Sequence, residues 1–228
     1  MGYIEFLSKY SYSQELVNIA KGLVEVPDYT VQAPPDPSFG FPPVLIPLWS
    51  SASWPGYIGI AKHWFGRRQD TFIQFYADEF SFVEIARNLE QLKAWMVFDF
   101  LCNVPTPEEV CHFAESIGFC AVDEVESIFA DCEDVSDLAN LSIFKNDLPS
   151  VIGKGSESGD PEWLKKTEGV NEVKGLMSAD RYEDAWYQLN STVISKPEVV
   201  DILNALSLRV TNKEAFKDLI SCWLASNL

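Results

Sequence analysis

Residues 44–77 carry three short runs of β-branched and aromatic residues, and the apolar patterns after them have the spacing of helices. The runs span about 44–50, 56–62 and 71–77, and Gly, Pro, Arg or Asp residues bound them, as is typical of short strands. The second and third runs are expected to pair antiparallel across the segment HWFGRRQD. Strands followed by helices predict an α+β fold, in which a small antiparallel sheet of about three or more strands packs with helices in the N-terminal half.

Apolar residues at helical spacing predict helices on both sides of these strands. One is expected before them, at residues 13–25, and a stretch with six prolines at 26–44 is expected to be extended. Further helices are expected at about 81–101, 107–117 and 122–132, and three more after residue 180. Thr106, Pro107 and Glu109 form a capping-box pattern at one helix start, and Gly118 is expected to end that helix.

The segment GKGSESGD at residues 153–160 has the composition of a linker or an exposed loop. It divides the chain into an acidic α+β domain at 1–150, a linker or loop at 151–160 and a mostly α-helical C-terminal subdomain at 161–228. With 228 residues, of which 47% are hydrophobic, the chain is long enough for one sizeable core or two modest ones.

The chain has a net charge of −17, and its acidity lies in the first two thirds. Between Lys93 and Lys145 there is no Lys or Arg, while eleven Asp and Glu residues fall in that interval and seven of them lie between 123 and 137. A charge of this sign argues against binding to nucleic acids and to anionic membranes. It favours a basic protein partner, because opposite potentials speed encounter; the alternative is that the charge serves solubility alone.

On a helical wheel, Val122, Val125, Ile128 and Phe129 lie on one side of the helix predicted at 122–132, and its carboxylates lie on the other. Ordinary solvated faces interleave both signs of charge, whereas this face is purely negative. We expect it to bind a partner; a solvated face and a cation site are the alternatives, and the pattern of a calcium loop is absent. The predicted contact residues are Asp123, Glu124, Glu126, Asp131, Glu133, Asp134 and Asp137, with Trp54, which precedes Pro55-Gly56, as an exposed aromatic anchor.

No catalytic motif occurs in the sequence, so no catalytic residue, cofactor or metal site is predicted and the protein is not expected to be an enzyme. His63 lies near Arg67 and Arg68, which suggests an anion site, but a structural histidine is the preferred interpretation. Arg67 and Arg68 are interpreted as partial counterions for the acidic region. The five cysteines form no C-x-x-C pair and are expected to be buried thiols, and Cys111 next to His112 does not suit a shared metal.

The N-terminal residues do not have the pattern of a signal peptide, because acidic and polar residues interrupt any apolar stretch. No apolar run approaches the length of a membrane span. We therefore expect a cytoplasmic protein.

Residues 27–101 resemble the SUKH superfamily of bacterial immunity proteins. The resemblance rests on an early helix, on Pro27-Asp28-Tyr29, and on a proline-rich passage into short strands. The segments VLIPLWSSASWPGYIGIAKHWFG and TFIQFYAD complete it, together with EIARNLEQL, which resembles the closing helix of such domains. The resemblance implies a protein that binds and neutralises a toxin, and it supplies no catalytic residues.

Two functions are consistent with these patterns. The first is an immunity protein that inhibits a basic cognate toxin, expected to be a nuclease that acts in the cytoplasm and is delivered by contact-dependent or type VI secretion. A nuclease needs a positive cleft for phosphates, which an acidic helix would suit. The alternative is an adaptor or chaperone that loads a basic secreted effector and leaves its active site free.

Overall fold

A computed structural model describes residues 1–24, 31–36, 40–51, 55–77, 81–103, 105–131, 135–145, 147–149, 169–191 and 194–226. The helices and strands in these segments are α1 (Tyr3–Lys9), α2 (Gln14–Ala20), β1 (Val31–Gln32), β2 (Leu45–Ser51), β3 (Gly56–Ala61), β4 (Thr71–Tyr76), β5 (Ser81–Ala86), α3 (Leu89–Leu101), α4 (Pro107–Ser116), α5 (Val122–Asp131), the 3-10 helices η1 (Val135–Asn140) and η2 (Ser142–Phe144), α6 (Val170–Ser178), α7 (Tyr182–Asn190), α8 (Lys196–Leu206) and α9 (Lys213–Ser226). The predicted α+β class is confirmed.

The strands form one antiparallel sheet in the order β1-β2-β3-β4-β5, so each strand pairs with the next one along the chain. The strands predicted at 44–50, 56–62 and 71–77 are confirmed as β2, β3 and β4. The predicted antiparallel pairing of β3 with β4 is also confirmed, and it places Tyr57 opposite Phe75. The proline-rich stretch contributes only the two-residue edge strand β1 in its described part.

The centre of the sheet is closely packed, since β2 and β3 are buried along their whole lengths. Gly59 of β3 is required by this packing, because a Cβ atom at that position would collide with the carbonyl oxygen of Ile46 in β2. Aromatic rings extend the core across the strands. The ring centroids of Phe41 and Tyr57 lie 4.9 Å apart, and those of Phe75 and Phe82 lie 4.7 Å apart.

The helix predicted at 81–101 is wrong in its first part, where residues Ser81–Ala86 form β5. Apolar residues at 82, 85 and 86 fit a helical spacing, but Phe82 also lies opposite Phe75 of β4 in the sheet register. Pairing with the preceding strand β4 decided the conformation of this segment. Cross-strand packing of aromatic and β-branched residues outweighs a weak local preference for helix.

The helical part of this segment begins at Leu89, after an N-cap that the sequence analysis overlooked. The side chain of Asn88 accepts a hydrogen bond of 3.0 Å from the backbone N–H of Gln91. α3 is buried from Gln91 to Phe98 and therefore lacks the polar face of an ordinary surface helix. Without that face, the sequence pattern shows no change at the boundary between β5 and α3.

The predicted boundaries of α4 are confirmed at both ends. Thr106 and Glu109 form the expected capping box. Gly118 adopts a φ of +65°, and the backbone N–H groups of Gly118 and Phe119 donate to the carbonyl oxygens of Glu115 and Ala114. This Schellman arrangement ends the helix and turns the chain towards α5.

The N-terminal helical segment is shorter than predicted and is preceded by a second helix. α2 covers only Gln14–Ala20 of the expected 13–25, with Ser13 as its N-cap, and Gly22 follows it at a φ of +67°. α1 was not predicted; it packs against α2 and against the C-terminal helix α9.

The C-terminal helices pack on the N-terminal half of the chain through buried tryptophans. The indole N–H of Trp186 in α7 donates to the carbonyl oxygen of Lys62 at 2.9 Å. The indole N–H of Trp223 in α9 donates to the carbonyl oxygen of Phe41 at 2.6 Å. Buried residues of both parts therefore belong to one hydrophobic core.

Polar contacts reinforce this packing. The backbone N–H of Val44 donates to the side-chain oxygen of Asn190 at 2.7 Å, and Lys9 forms an ion pair with Asp218 at 2.7 Å. The predicted linker at 151–160 lies outside the described residues, and the division of the chain there stays a prediction.

Candidate functional site

The helix with the predicted acidic face is present as α5, within one residue of the expected bounds. Val125 is fully buried, and Val122, Ile128 and Phe129 are partly buried, so the predicted apolar face is confirmed. Phe129 contacts Phe98 of α3 edge to face, with 5.4 Å between ring centroids. α5 also contacts α4 and η1. The buried helix α3 thus supports α5 from behind.

Three carboxylates of α5 lie outside its apolar face. Asp123 and Glu124 are exposed, and Glu126 is partly buried. Within the described part of the chain, none of these three has a Lys, Arg or His nitrogen within 4.0 Å. Their negative charge is therefore not neutralised by ion pairs with the residues that the structure describes.

The remaining predicted contact residues are only partly described. Asp137 lies in η1, is partly buried and interacts with another residue of the protein. Asp131 is the last residue of α5, but its side chain lies outside the described residues, as do Glu133, Asp134 and Trp54. We use the name acidic face for Asp123, Glu124 and Glu126, which the structure brings together on α5.

His63 is the buried structural histidine that the sequence analysis preferred. Its Nε2 atom lies 3.2 Å from the hydroxyl of Thr71, and its Nδ1 atom lies 3.4 Å from the hydroxyl of Tyr187. Burial, and to a smaller extent the positive charge of Arg68, lowers the pKa of His63 to about 4. The Thr71 hydroxyl belongs to a residue that is 3% exposed, so it is not placed to attack a substrate.

Arg68 was predicted to be a partial counterion for the acidic region, but the ion pair that the described residues show for it lies outside that region. It pairs instead with Glu84 of β5, a fully buried carboxylate that also binds the Nε atom of Arg87 at 2.7 Å. The Nη1 atom of Arg87 also forms an ion pair with Oδ1 of Asp147 at 2.5 Å. Sequence reasoning missed this cluster, because a glutamate in an apolar segment gave no sign of being fully buried.

Lys62, Arg68 and Arg87 also line a cleft of about 590 Å³ between α2, the strands β3 and β4, and the start of α3. The only sequence signal for this cleft was the segment HWFGRRQD, in which His63 with Arg67 and Arg68 suggested an anion site. The structure places these side chains on one cleft, together with Lys62.

The cysteines differ from expectation, since Cys102, Cys111 and Cys120 are exposed and only Cys222 is buried among those described. Burial raises the pKa of the Cys222 thiol to about 11. The exposed cysteines lie outside the apolar patterns of the helices: Cys102 directly follows α3, Cys111 lies on the solvent side of α4, and Cys120 follows α4. Within the described segments, no three His, Cys, Asp or Glu side chains are grouped as a metal site.

Comparison with known proteins identifies no relative: no protein family, curated protein or solved structure matches this chain. In the segments described above, every helix is too short or too polar to cross a membrane. The function has to be inferred from the acidic face, the cleft and the packing around them.

Proposed function

We propose that this protein is an immunity protein that acts in the cytoplasm and neutralises a basic cognate toxin by binding it through the acidic face of α5. The observation that carries the proposal is the absence of ion pairs to Asp123, Glu124 and Glu126 within the described residues. Glu84, Glu15 and Glu90, by contrast, pair with Arg or Lys side chains. A basic partner would supply the counter-charge that the described residues do not provide to the acidic face.

The packing of α5 suits this role. A helix held by α3, α4 and η1 presents its carboxylates in fixed positions, so binding requires little ordering of the backbone. The net charge of −17 adds a long-range attraction for a basic protein, which speeds association at low salt and fades as salt screens it.

A nuclease is the toxin class that we favour. The cleft of a nuclease must be positive to hold phosphates, and a row of helix carboxylates offers it charges of the same sign as its substrate. The order of elements is compatible with the proposal: the resemblance to immunity proteins rests on one early helix, short strands and a closing helix, and this chain has two early helices before its short-stranded sheet and its closing helix. The closing helix begins at Leu89, so the first residues of EIARNLEQL belong to β5.

The test compares two charge-reversed variants that change the net charge equally. Asp123→Lys with Glu124→Lys removes two exposed carboxylates of the acidic face, and Glu172→Lys with Asp201→Lys removes two exposed carboxylates on α6 and α8. A protein captured from the native cell by the wild-type chain is expressed alone and with each variant. We expect it to be toxic alone, to be neutralised by the wild type and by the α6/α8 variant, and to escape the acidic-face variant.

The outcomes separate the possible functions. Equal protection by both variants would remove the acidic face from the mechanism. A captured partner that keeps its full activity in the complex would indicate the adaptor that loads an effector, because an adaptor leaves the active site free.

A further inference from the structure

Cationic side chains gather around the cleft in the described structure. Its lining includes Lys62, Arg68 and Arg87 but only one carboxylate, that of Asp70. The side chains of the three cations are 26–29% exposed, so each keeps part of its surface open. In a chain with a net charge of −17, this lining has the opposite sign.

Acids hold these cations in place, Glu84 from behind the cleft and Asp70 from within its lining. Glu84 is fully buried, does not line the cleft and binds both guanidinium groups. Asp70 accepts hydrogen bonds from Lys62 at 2.5 Å and from the hydroxyl of Tyr12 at 2.8 Å. Such partners orient charged groups in advance, so that a ligand meets donors that are already positioned.

The net negative charge of the chain does not prevent an anion from binding here. At about 0.1 M ionic strength, charges on the surface beyond about 10 Å are largely screened, whereas partly buried charges within the cleft are screened much less. The nearest groups therefore dominate the potential that a bound ligand experiences, and these are the three cations together with the carboxylates of Asp70, Glu84 and Asp147 that pair with them. A ligand is held by the partly exposed N–H donors of the cations and not by a large excess of positive charge.

The other part of the lining is apolar, with Leu16, Ile60, Phe72 and Leu89. The volume of about 590 Å³ lies within the usual range of small-molecule sites, which combine apolar walls with a few positioned polar groups. We propose that this cleft binds a small organic anion, in which a carboxylate or phosphate group contacts the cations and an apolar body packs on the apolar wall. This cleft is separate from the acidic face, and the binding proposed here does not depend on the function proposed for the acidic face.

The test titrates the full chain, labelled with ¹⁵N, with four probes: phenyl phosphate, benzoate, benzyl alcohol and inorganic phosphate. We expect the two organic anions to produce saturable chemical-shift changes in the backbone amides of the cleft, around Lys62, Gln69 and Asp70. Benzyl alcohol lacks the charge and inorganic phosphate lacks the apolar body, so each should bind at least about tenfold more weakly.

A pair of lysine variants provides the control. Lys62→Gln should weaken phenyl phosphate binding about tenfold, because it removes a charged donor and leaves Asp70 facing the ligand. Lys9→Gln removes an ion-paired lysine on α1, outside the cleft, and should leave binding unchanged. The proposal is overturned if the shifts fall outside the cleft, if benzyl alcohol or inorganic phosphate binds as well as phenyl phosphate, or if the two variants bind alike. The comparison of the four probes uses the wild type alone, so it still tests the proposal if a variant fails to fold.

Discussion

The buried imidazole of His63 should make the stability of this protein fall between about pH 7 and pH 5. His63 is 7% exposed, and burial together with Arg68 lowers its pKa from 6.5 to about 4. Below about pH 6.5 the unfolded chain binds a proton at this position that the folded protein does not yet accept. The free energy of unfolding therefore decreases as the pH falls, and the decrease ends near the pKa of the folded state.

The size of the effect follows from the two pKa values. A pKa difference of one corresponds to about 1.4 kcal/mol, so lowering the pKa from 6.5 to about 4 is worth about 3 kcal/mol once the pH is below both values. The linkage relation places about 2 kcal/mol of this loss between pH 7 and pH 5. In that range most carboxylates are still ionised, so the histidine contribution is not hidden by them.

The assay is urea unfolding followed by tryptophan fluorescence at pH 7 and pH 5, in the wild type, His63→Gln and His112→Gln. These are the two histidines of the chain, and His112 is exposed on α4. The pH-dependent loss should be smaller in His63→Gln by about 2 kcal/mol, and His112→Gln should keep it, because His63 is still present. Each variant is compared with itself at the two pH values, so any stability lost through the substitution cancels. An equal loss in wild type and His63→Gln would refute the reasoning.

Three further predictions, on a buried ion pair, a buried hydrogen bond and a helix cap, are tested by denaturant unfolding at pH 7. Glu84→Gln should destabilise the fold by about 2–3 kcal/mol, because it leaves two guanidinium groups without their buried carboxylate; their partial exposure keeps the loss below that of a fully buried pair. Glu90→Gln removes a carboxylate that is 56% exposed, and its buried partner Lys93 keeps a second ion pair with Glu15, so this substitution should cost less, about 1 kcal/mol. Asn190→Ala should cost about 1–3 kcal/mol, because the buried N–H of Val44 loses its acceptor. Thr106→Ala should cost about 1 kcal/mol through the lost cap, and Thr106→Ser should not.

Each of these three predictions would be contradicted by a specific result. Equal effects of the Glu84 and Glu90 substitutions would mean that the buried carboxylate is no more important than an exposed one. An Asn190→Ala variant as stable as the wild type would mean that the C-terminal helices do not depend on this contact with β2. If Thr106→Ser lost as much stability as Thr106→Ala, the hydroxyl would not be the cap.

The acidic face was predictable because it depends on a local pattern. Apolar residues at 122, 125, 128 and 129 and carboxylates between them are sufficient to place one side of a helix in the core and the other in solvent. The structure confirms the helix and its buried side. It places three of the predicted carboxylates together, while the run beyond the helix end lies mostly outside the described residues.

The boundary between β5 and α3 was not predictable in the same way. Residues 82, 85, 86 and 89 satisfy a helical period, and α3 is too thoroughly buried to show a polar face. The capping side chain of Asn88 was the available local signal. The choice of strand over helix came from the pairing of β5 with the preceding strand β4, a contact that the helical period within residues 81–101 does not register.

The sequence by itself determined the α+β class, the three central strands, the capped helix α4 and the acidic helix α5, because strand runs, caps and helical periods are properties of neighbouring residues. The tertiary structure alone decided the rest. It brought Arg68 and Arg87 to the buried Glu84, opened the cleft that they line with Lys62, and docked Trp186 and Trp223 of the C-terminal helices on the N-terminal half. These contacts join residues up to 182 positions apart in the chain, and such pairings depend on how the elements pack, which local spacing does not encode.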